Sequence, residues 1–316
     1  MKKAVWLIVI VSFVLVGLLF IQKNKTKTAV MQQHTVITTI YPLYFITKEI
    51  AGNAIDVKRL IKPGSEIHSF SPTPAEMVAL DRADLLITLG KELEPWTDKL
   101  AAATNVKILS LEEGLTLIHT GEDHYSEHKE EHHHKGHDHE GGIDPHVWLD
   151  FDNDIKMIEM ISDRLSELYP EQKAYFAKNA STMRERFKKL QHSYIEGLMQ
   201  CDKQILLVGH DAFGYLEKRY GFETEGIMGV FAHSRPNAAK IAALSEMIKA
   251  KKMQYLFTDP IESSKSASQL ATDMNLILEP LYTLGNISLK DEKKGEDMLT
   301  LLYFDLIQLR KGLECR

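Results

Sequence analysis

The chain has 316 residues, more than one compact domain usually holds and enough for two that each bury a core. Hydrophobic residues at 44% and charged ones at 26% are normal for a folded soluble protein and argue against a disordered chain or a multi-span membrane protein. A formal charge of −6 argues against nucleic acid as a partner, because phosphate binding needs a basic face.

Met1-Lys2-Lys3 precedes an apolar run from Ala4 to Ile21, broken only by Ser12 and Gly17 and followed by the basic polar stretch Gln22 to Lys27. This is the pattern of an export signal or signal anchor, and residues 1–30 are assigned to it. At about 1.5 Å per residue the run reaches roughly 27 Å, near the hydrocarbon thickness of a bilayer, so cleavage and retention as a membrane anchor both stay open. The remainder is expected outside the cytoplasm: secreted, periplasmic or at the cell surface. Cys201 and Cys315 are too few for a disulfide scaffold; in an oxidising compartment they either pair or remain thiols.

The β-branched alternation from His34 to Ile40 predicts a first strand that Tyr41-Pro42 stops, and Phe45 to Ala51 predicts a helix ended by Gly52-Asn53. Ile55 to Ile61 reads as a second strand halted by Pro63-Gly64. Thr73-Pro74-Ala75-Glu76 carries an N-cap residue, proline at the first helical position and an acid in the first turn, so a helix should run to about Arg82. A strand at Asp84 to Leu89, a helix at Trp96 to Ala103 and a strand at Val106 to Leu109 complete a first lobe, assigned to residues 31–169. Strong helix formers from Ile155 to Met199, broken only at Tyr169-Pro170, predict a long linking helix over 170–199. Beyond it the alternation resumes over 200–316, with strands at Ile205 to Val208, Thr224 to Ile227, Tyr255 to Thr258 and Leu276 to Leu278 separated by helices, and a last helix at Asp297 to Gly312. The fold class is therefore α/β: two lobes with mostly parallel sheets, joined by a long rigid helix, with a site in the cleft that the strand ends face.

Three histidines fall at strand or loop ends that this arrangement turns toward the cleft. His68 follows the second strand, His146 lies in Asp144-Pro145-His146-Val147-Trp148-Leu149-Asp150, and His210 ends the strand beginning at Ile205. Neutral imidazole is a favoured zinc ligand, and three of them with one further position make a tetrahedron. Manganese would be expected to use more oxygen ligands; copper and nickel also take imidazole. Residues 119–140 hold eight histidines among seven acidic residues: His119, His124, His128, His132, His133, His134, His137 and His139. Such a tract cannot form a core, and its imidazoles, His124 to His139, offer accessory metal sites that are weaker than a framework site because the loop must be ordered to make them. Since imidazole must be unprotonated to bind, affinity is expected to fall as pH drops below about 6.5. His233 reads as a loop residue, and His34 and His192 as exposed. No motif for a serine hydrolase, a zinc protease or a nucleotide enzyme is present.

These motifs resemble a family, the zinc-specific solute-binding receptors of ABC-type metal importers (cluster A-I). The resemblance covers roughly residues 34–313 and rests on Gly64-Ser65-Glu66-Ile67-His68-Ser69-Phe70-Ser71-Pro72, Ala83-Asp84-Leu85-Leu86, Asp144-Pro145-His146-Val147-Trp148-Leu149, Gly209-His210-Asp211-Ala212-Phe213-Gly214-Tyr215 and Phe257-Thr258-Asp259-Pro260, together with the His-rich insertion. It implies two lobes tied by a long helix and a zinc ion held by His68, His146 and His210, with histidine at 210 where manganese-selective relatives carry Glu. For the fourth ligand it offers Glu279, then Glu66 or water, since Ile67 separates Glu66 from the first histidine. Asp259 reads as a supporting or strand-end residue. The implied function is capture of Zn2+ and delivery to the transmembrane permease of an importer, by a monomer and without catalysis; the competing readings are an exported zinc-dependent hydrolase and a metal-sequestering adhesin. Two departures stand out. Gram-positive members usually carry a lipid-modified cysteine after the signal, which this chain lacks there. Some members also have a second-lobe disulfide for which Cys315 suits one end, while Cys201 is not at the usual other position.

Overall fold

The β-branched run after His34 forms strand β1 (Thr35–Thr38), and the chain enters helix α1 (Tyr41–Ala51) almost at once. Tyr41-Pro42 opens this helix, where the sequence suggested only a stop. Proline has no N–H to lose in the first turn, and its fixed φ suits that position. Strand β2 (Asp56–Arg59), helix α2 (Pro74–Asp81), strand β3 (Leu85–Thr88), helix α3 (Thr97–Ala103) and strand β4 (Ile108–Ser110) follow. Thr73 and Glu76 close a reciprocal capping box at the start of α2. The sheet is wholly parallel in the order β2-β1-β3-β4, so the winding direction reverses between β1 and β3. The computed structural model describes residues 34–67, 70–91, 93–119, 142–230, 236–262 and 265–316.

A 3-10 turn over Val147–Leu149 leads into α4 (Phe151–Leu168), and after the 3-10 turn Pro170–Gln172 the chain returns as α5 (Lys173–Leu198). The break falls at Tyr169-Pro170 because proline cannot continue a helix without losing a hydrogen bond and clashing one turn back. Helix α5 buries Phe176, Ala180, Met183, Phe187, Leu190, Tyr194 and Leu198, spaced by threes and fours, so one apolar stripe faces inward along its whole length. Its 26 residues reach about 39 Å.

The second lobe repeats the first. Strand β5 (Ile205–His210), helix α6 (Gly214–Tyr220), strand β6 (Glu223–Met228), helix α7 (Ala238–Lys251), strand β7 (Tyr255–Thr258), helix α8 (Lys265–Met274) and strand β8 (Ile277–Pro280) give a parallel sheet in the order β6-β5-β7-β8. Helices α9 (Leu289–Lys294) and α10 (Met298–Gly312) close the chain. The sequence reading passed over α9. Ser288 caps it, and Gly295 ends it in the left-handed region at φ 81°, which glycine adopts without a Cβ clash. The fold is α/β, two parallel-sheet lobes with the long helix between them.

One hydrophobic cluster runs through both lobes: Val36 and Leu85 of the first sheet share it with Phe187 and Tyr194 of α5, Leu206 and Phe257 of the second sheet, and Leu302 of α10. Thr35–Arg316 is accordingly one compact unit. A strap after β8 ties the lobes further. Asn286 Nδ2 donates to the carbonyls of Lys62 (2.8 Å) and Ser65 (2.7 Å), Gly64 N donates to Ile287 O at 2.9 Å, and Tyr41 N to Gly285 O at 3.2 Å. Gly285 lets the strap lie close to the loop of Lys62 and Ser65, since a Cβ there would lie 2.4 Å from Ile67 Cδ1 and 3.1 Å from the Trp148 ring, and the Ile67 side chain would have to move. Cys201, just past α5, and Cys315, just past α10, are joined in a disulfide. Among the described residues no helix is long and apolar enough to cross a membrane; the apolar run at 4–21 lies outside them.

Candidate metal centre

His210 is the last residue of β5, at the carboxyl end of the strand beside which the second sheet reverses direction. His146 caps the 3-10 turn that leads into α4. The two side chains meet with ring centroids 5.0 Å apart and planes inclined at 72°. Residue His146 is 1% and residue His210 3% exposed, so water does not solvate the pair freely. A zinc ion held at about 2.0 to 2.1 Å by one ring nitrogen lies about 3.2 Å from that ring's centre, so two imidazoles at the tetrahedral angle have centres about 5.2 Å apart. The observed spacing fits that geometry.

Each ring is oriented by a carboxylate. Asp144 Oδ1 accepts from His146 N at 2.9 Å and lies 2.8 Å from its Nδ1, while Glu262 Oε1 lies 2.7 Å from Nδ1 of His210. A proton held on Nδ1 leaves Nε2 as the atom able to ligate a metal. His210 Nε2 lies 2.8 Å from the carbonyl of Val230, so with acceptors at both nitrogens this ring is set up to carry two N–H groups. Burial works against that charge, but the hydrogen bond and charge of Glu262, the Val230 carbonyl and Asp259 outweigh it and raise the pKa above the ordinary histidine value. A metal taken up at Nε2 would have to displace a proton and the Val230 contact.

A buried chain of bonds connects the two rings from behind. Trp148 stands edge-on to His146 at 5.4 Å, and its Nε1 donates to Thr283 O at 2.8 Å. Thr283 donates from N (2.8 Å) and Oγ1 (2.6 Å) to Asp259 Oδ2. Asp259 Oδ1 accepts from Ile261 N at 2.7 Å, and its backbone carbonyl accepts from Glu262 N at 3.1 Å, which folds the turn that presents Glu262 to His210. Asp259 is thus strand-end structure.

Among the described residues no three His, Cys, Asp or Glu side chains converge on one point; two of the expected histidines stand together and His68 lies outside the described residues. The loop that leads to His68 is described up to Ile67 and is the loop that Asn286 pins. His124, His128, His132, His133, His134, His137, His139 and His233 also lie outside the described residues. The base of the His-rich insertion lies inside them. His119 bridges to Ile143, Asp144 N donates to Ile118 O at 2.9 Å, and the Tyr215 hydroxyl accepts from Ile118 N (3.1 Å) and donates to Asp144 O (3.0 Å). The insertion therefore leaves and rejoins the framework next to the carboxylate that holds His146.

Glu279 requires a correction. Its carboxylate does not join the histidine pair but is bound by Lys311 Nζ and, at 3.1 Å, by Gln308 Nε2, both on α10. Those bonds, with the Lys311 charge, hold it below the usual carboxylate range. Side chains alternate along a strand, and Glu279, paired in register with Phe257, falls on the α10 face of β8. Glu66 is exposed on its loop. Sequence reasoning missed Asp144 and Glu262 as ring partners. Asp144 is within reach of a local argument, two residues before His146, whereas Glu262 is 52 residues from His210 and carries no sequence signal.

A family model described as zinc-uptake complex component A, periplasmic, matches residues 36–308. The chain belongs to this zinc-uptake component family. It is 32% identical over 279 residues to the zinc-binding lipoprotein AdcA of Streptococcus pneumoniae, covering 87% of this chain and 55% of that one, so the chain spans about half the length of that relative. It is 30% identical over 281 residues to the high-affinity zinc uptake system protein ZnuA of Bacillus subtilis, covering 88% and 87% of the two chains. The crystal structure of the Zn(II)-bound ZnuA-like domain of the pneumococcal AdcA superimposes with a TM-score of 0.74 at 28% identity, covering 89% of this chain and 99% of that one. The zinc-uptake family thus shares the two-lobed parallel architecture that positions the His146–His210 pair.

Proposed function

We propose that this protein is an extracytoplasmic receptor that captures Zn2+ with His68, His146 and His210 and hands it to the permease of an ATP-driven importer. The observation that carries the reading is the buried His146–His210 pair, spaced for tetrahedral coordination with each Nδ1 held by a carboxylate. Relatives named for zinc binding and zinc uptake support it. Three imidazoles favour zinc over manganese. With Glu279 bound to α10, the fourth position falls to water or Glu66. Near-complete burial of the pair suits holding an ion more than presenting a metal-bound water to a substrate, which sets the receptor above the hydrolase. The His-rich insertion, rooted beside Asp144, collects ions weakly and passes them inward, and residues 1–30 direct export or anchor the protein at the membrane.

Titration calorimetry with zinc tests this. The full chain and a chain lacking residues 120–141 should both show one tight site, and His146→Ala or His210→Ala should remove it. Loss of the tight site on deleting the insertion sinks the framework assignment. A zinc-limited growth defect in a strain lacking the protein tests delivery to a permease.

A further inference from the structure

We infer that Glu262 is a positioning residue of the zinc site: it holds the Nδ1 proton of His210 and so commits Nε2 to the metal. The inference rests on the zinc-capture reading above. Its basis is the 2.7 Å contact between Glu262 Oε1 and His210 Nδ1, made by a side chain only 24% exposed to a ring only 2% exposed. A hydrogen bond formed where water is largely excluded is strong, and its loss strands a buried ring N–H. Glu262 is also placed deliberately by the fold. Asp259, at the end of β7, binds Ile261 N through Oδ1 and Glu262 N through its carbonyl, and this turn aims the glutamate back at the end of β5. The first lobe does the same with other parts, Asp144 holding Nδ1 of His146 at 2.8 Å. Each lobe therefore contributes one histidine and one carboxylate that fixes its tautomer, and the second carboxylate comes from the turn after β7, the strand neighbouring the ligand's own.

Without Glu262, the His210 imidazole is free to place its proton on either nitrogen, and the tautomer with Nε2–H cannot bind zinc without first rearranging. Outer partners of this kind contribute roughly 10- to 100-fold in metal affinity. The test uses the full chain with zinc alone as the probe, in competition with a chromophoric chelator. Glu262→Ala should raise Kd by about 10- to 100-fold. Glu262→Gln should raise it less, because the amide oxygen still accepts the Nδ1 proton. Ring 15N spectra of the zinc-loaded proteins supply a readout that mere stability does not move: Nδ1–H with metal-bound Nε2 at His210 in the parent and in Glu262→Gln, and loss of that signature in Glu262→Ala. Wild-type affinity in Glu262→Ala alongside loss of binding in His210→Ala overturns the role of Glu262 and leaves zinc capture standing. Equal losses in the Ala and Gln variants also overturn it, since tautomer control is then not what matters. Wild-type affinity in both His146→Ala and His210→Ala overturns the capture reading itself.

Discussion

Glu94 lies just past β3, at the carboxyl end of the first sheet, where its Oε2 accepts from Leu89 N at 2.6 Å and from the Thr39 hydroxyl at 3.0 Å. Burial raises its pKa to about 7 in spite of those two bonds, and the charge of Glu112 adds to the rise. A raised folded-state pKa means that the native protein binds more protons than the unfolded chain between about 4.5 and about 7. Its contribution to stability is therefore present at low pH and lost as pH rises through 7. The shift from 4.5 corresponds to about 3 kcal/mol. Urea unfolding at pH 5 and pH 8 should show Glu94→Gln narrowing the difference between the two by about 2 to 3 kcal/mol relative to the parent. An unchanged difference would mean that the carboxyl ionises freely in the fold.

Helices α5 and α10 pack against each other within the core cluster. Tyr194 OH donates to Leu302 O at 2.7 Å, and Gly197 lets Leu306 approach to 3.0 Å of where a Cβ would stand. The Cys201–Cys315 bridge ties the ends of the same two helices across a sequence separation of 114. Closing a loop of that size removes conformational freedom mainly from the unfolded chain, worth about 4 to 5 kcal/mol in the chain-entropy model. Reduction, or a Cys201→Ser with Cys315→Ser double variant, should lower the free energy of unfolding by that order in a denaturant titration, with the α5–α10 packing kept by Leu198, Leu302 and Leu309. A loss under 1 kcal/mol would show that the helices already hold the unfolded ends together or that the bridge is strained.

At the level of the whole molecule, the shared core and the strap after β8 fix the lobes to one another. Asn286, which is buried, supplies the strap's two side-chain bonds to the loop that leads to His68, beside the backbone bond from Gly64 N to Ile287 O. Asn286→Ala leaves the Lys62 and Ser65 carbonyls to whatever water reaches them and should cost about 1 to 3 kcal/mol of stability. On the zinc-capture proposal the larger consequence falls on the site, since the loop that leads to His68 loses its side-chain anchor and keeps only the Gly64–Ile287 backbone bond. Zinc affinity measured by chelator competition should drop in this variant while the His146–His210 spacing, set by β5 and the turn before α4, is retained. Undiminished affinity would show that the loop is positioned without the strap.

The sequence alone determined the α/β alternation, the long helix and the broken point at Tyr169-Pro170, because periodicity, caps and proline act through neighbours in the chain. It also marked His146 and His210 as candidates, since each sits in a short motif at a strand or turn end; that their rings meet is a finding of the structure. Helix α9 escaped because six residues, all charged after Leu289, have no apolar period to reveal them. Glu279 was chosen as a carboxylate near a strand end, but which face of β8 it takes, and that Lys311 waits on that face, are decided by sheet register and by a helix 29 to 32 residues away. Glu262 stood for nothing in the sequence. Only the tertiary structure brings the turn after β7 against the end of β5 and turns an unremarked glutamate into the partner of His210, because a hydrogen bond between residues 52 apart depends on how two strands are laid side by side.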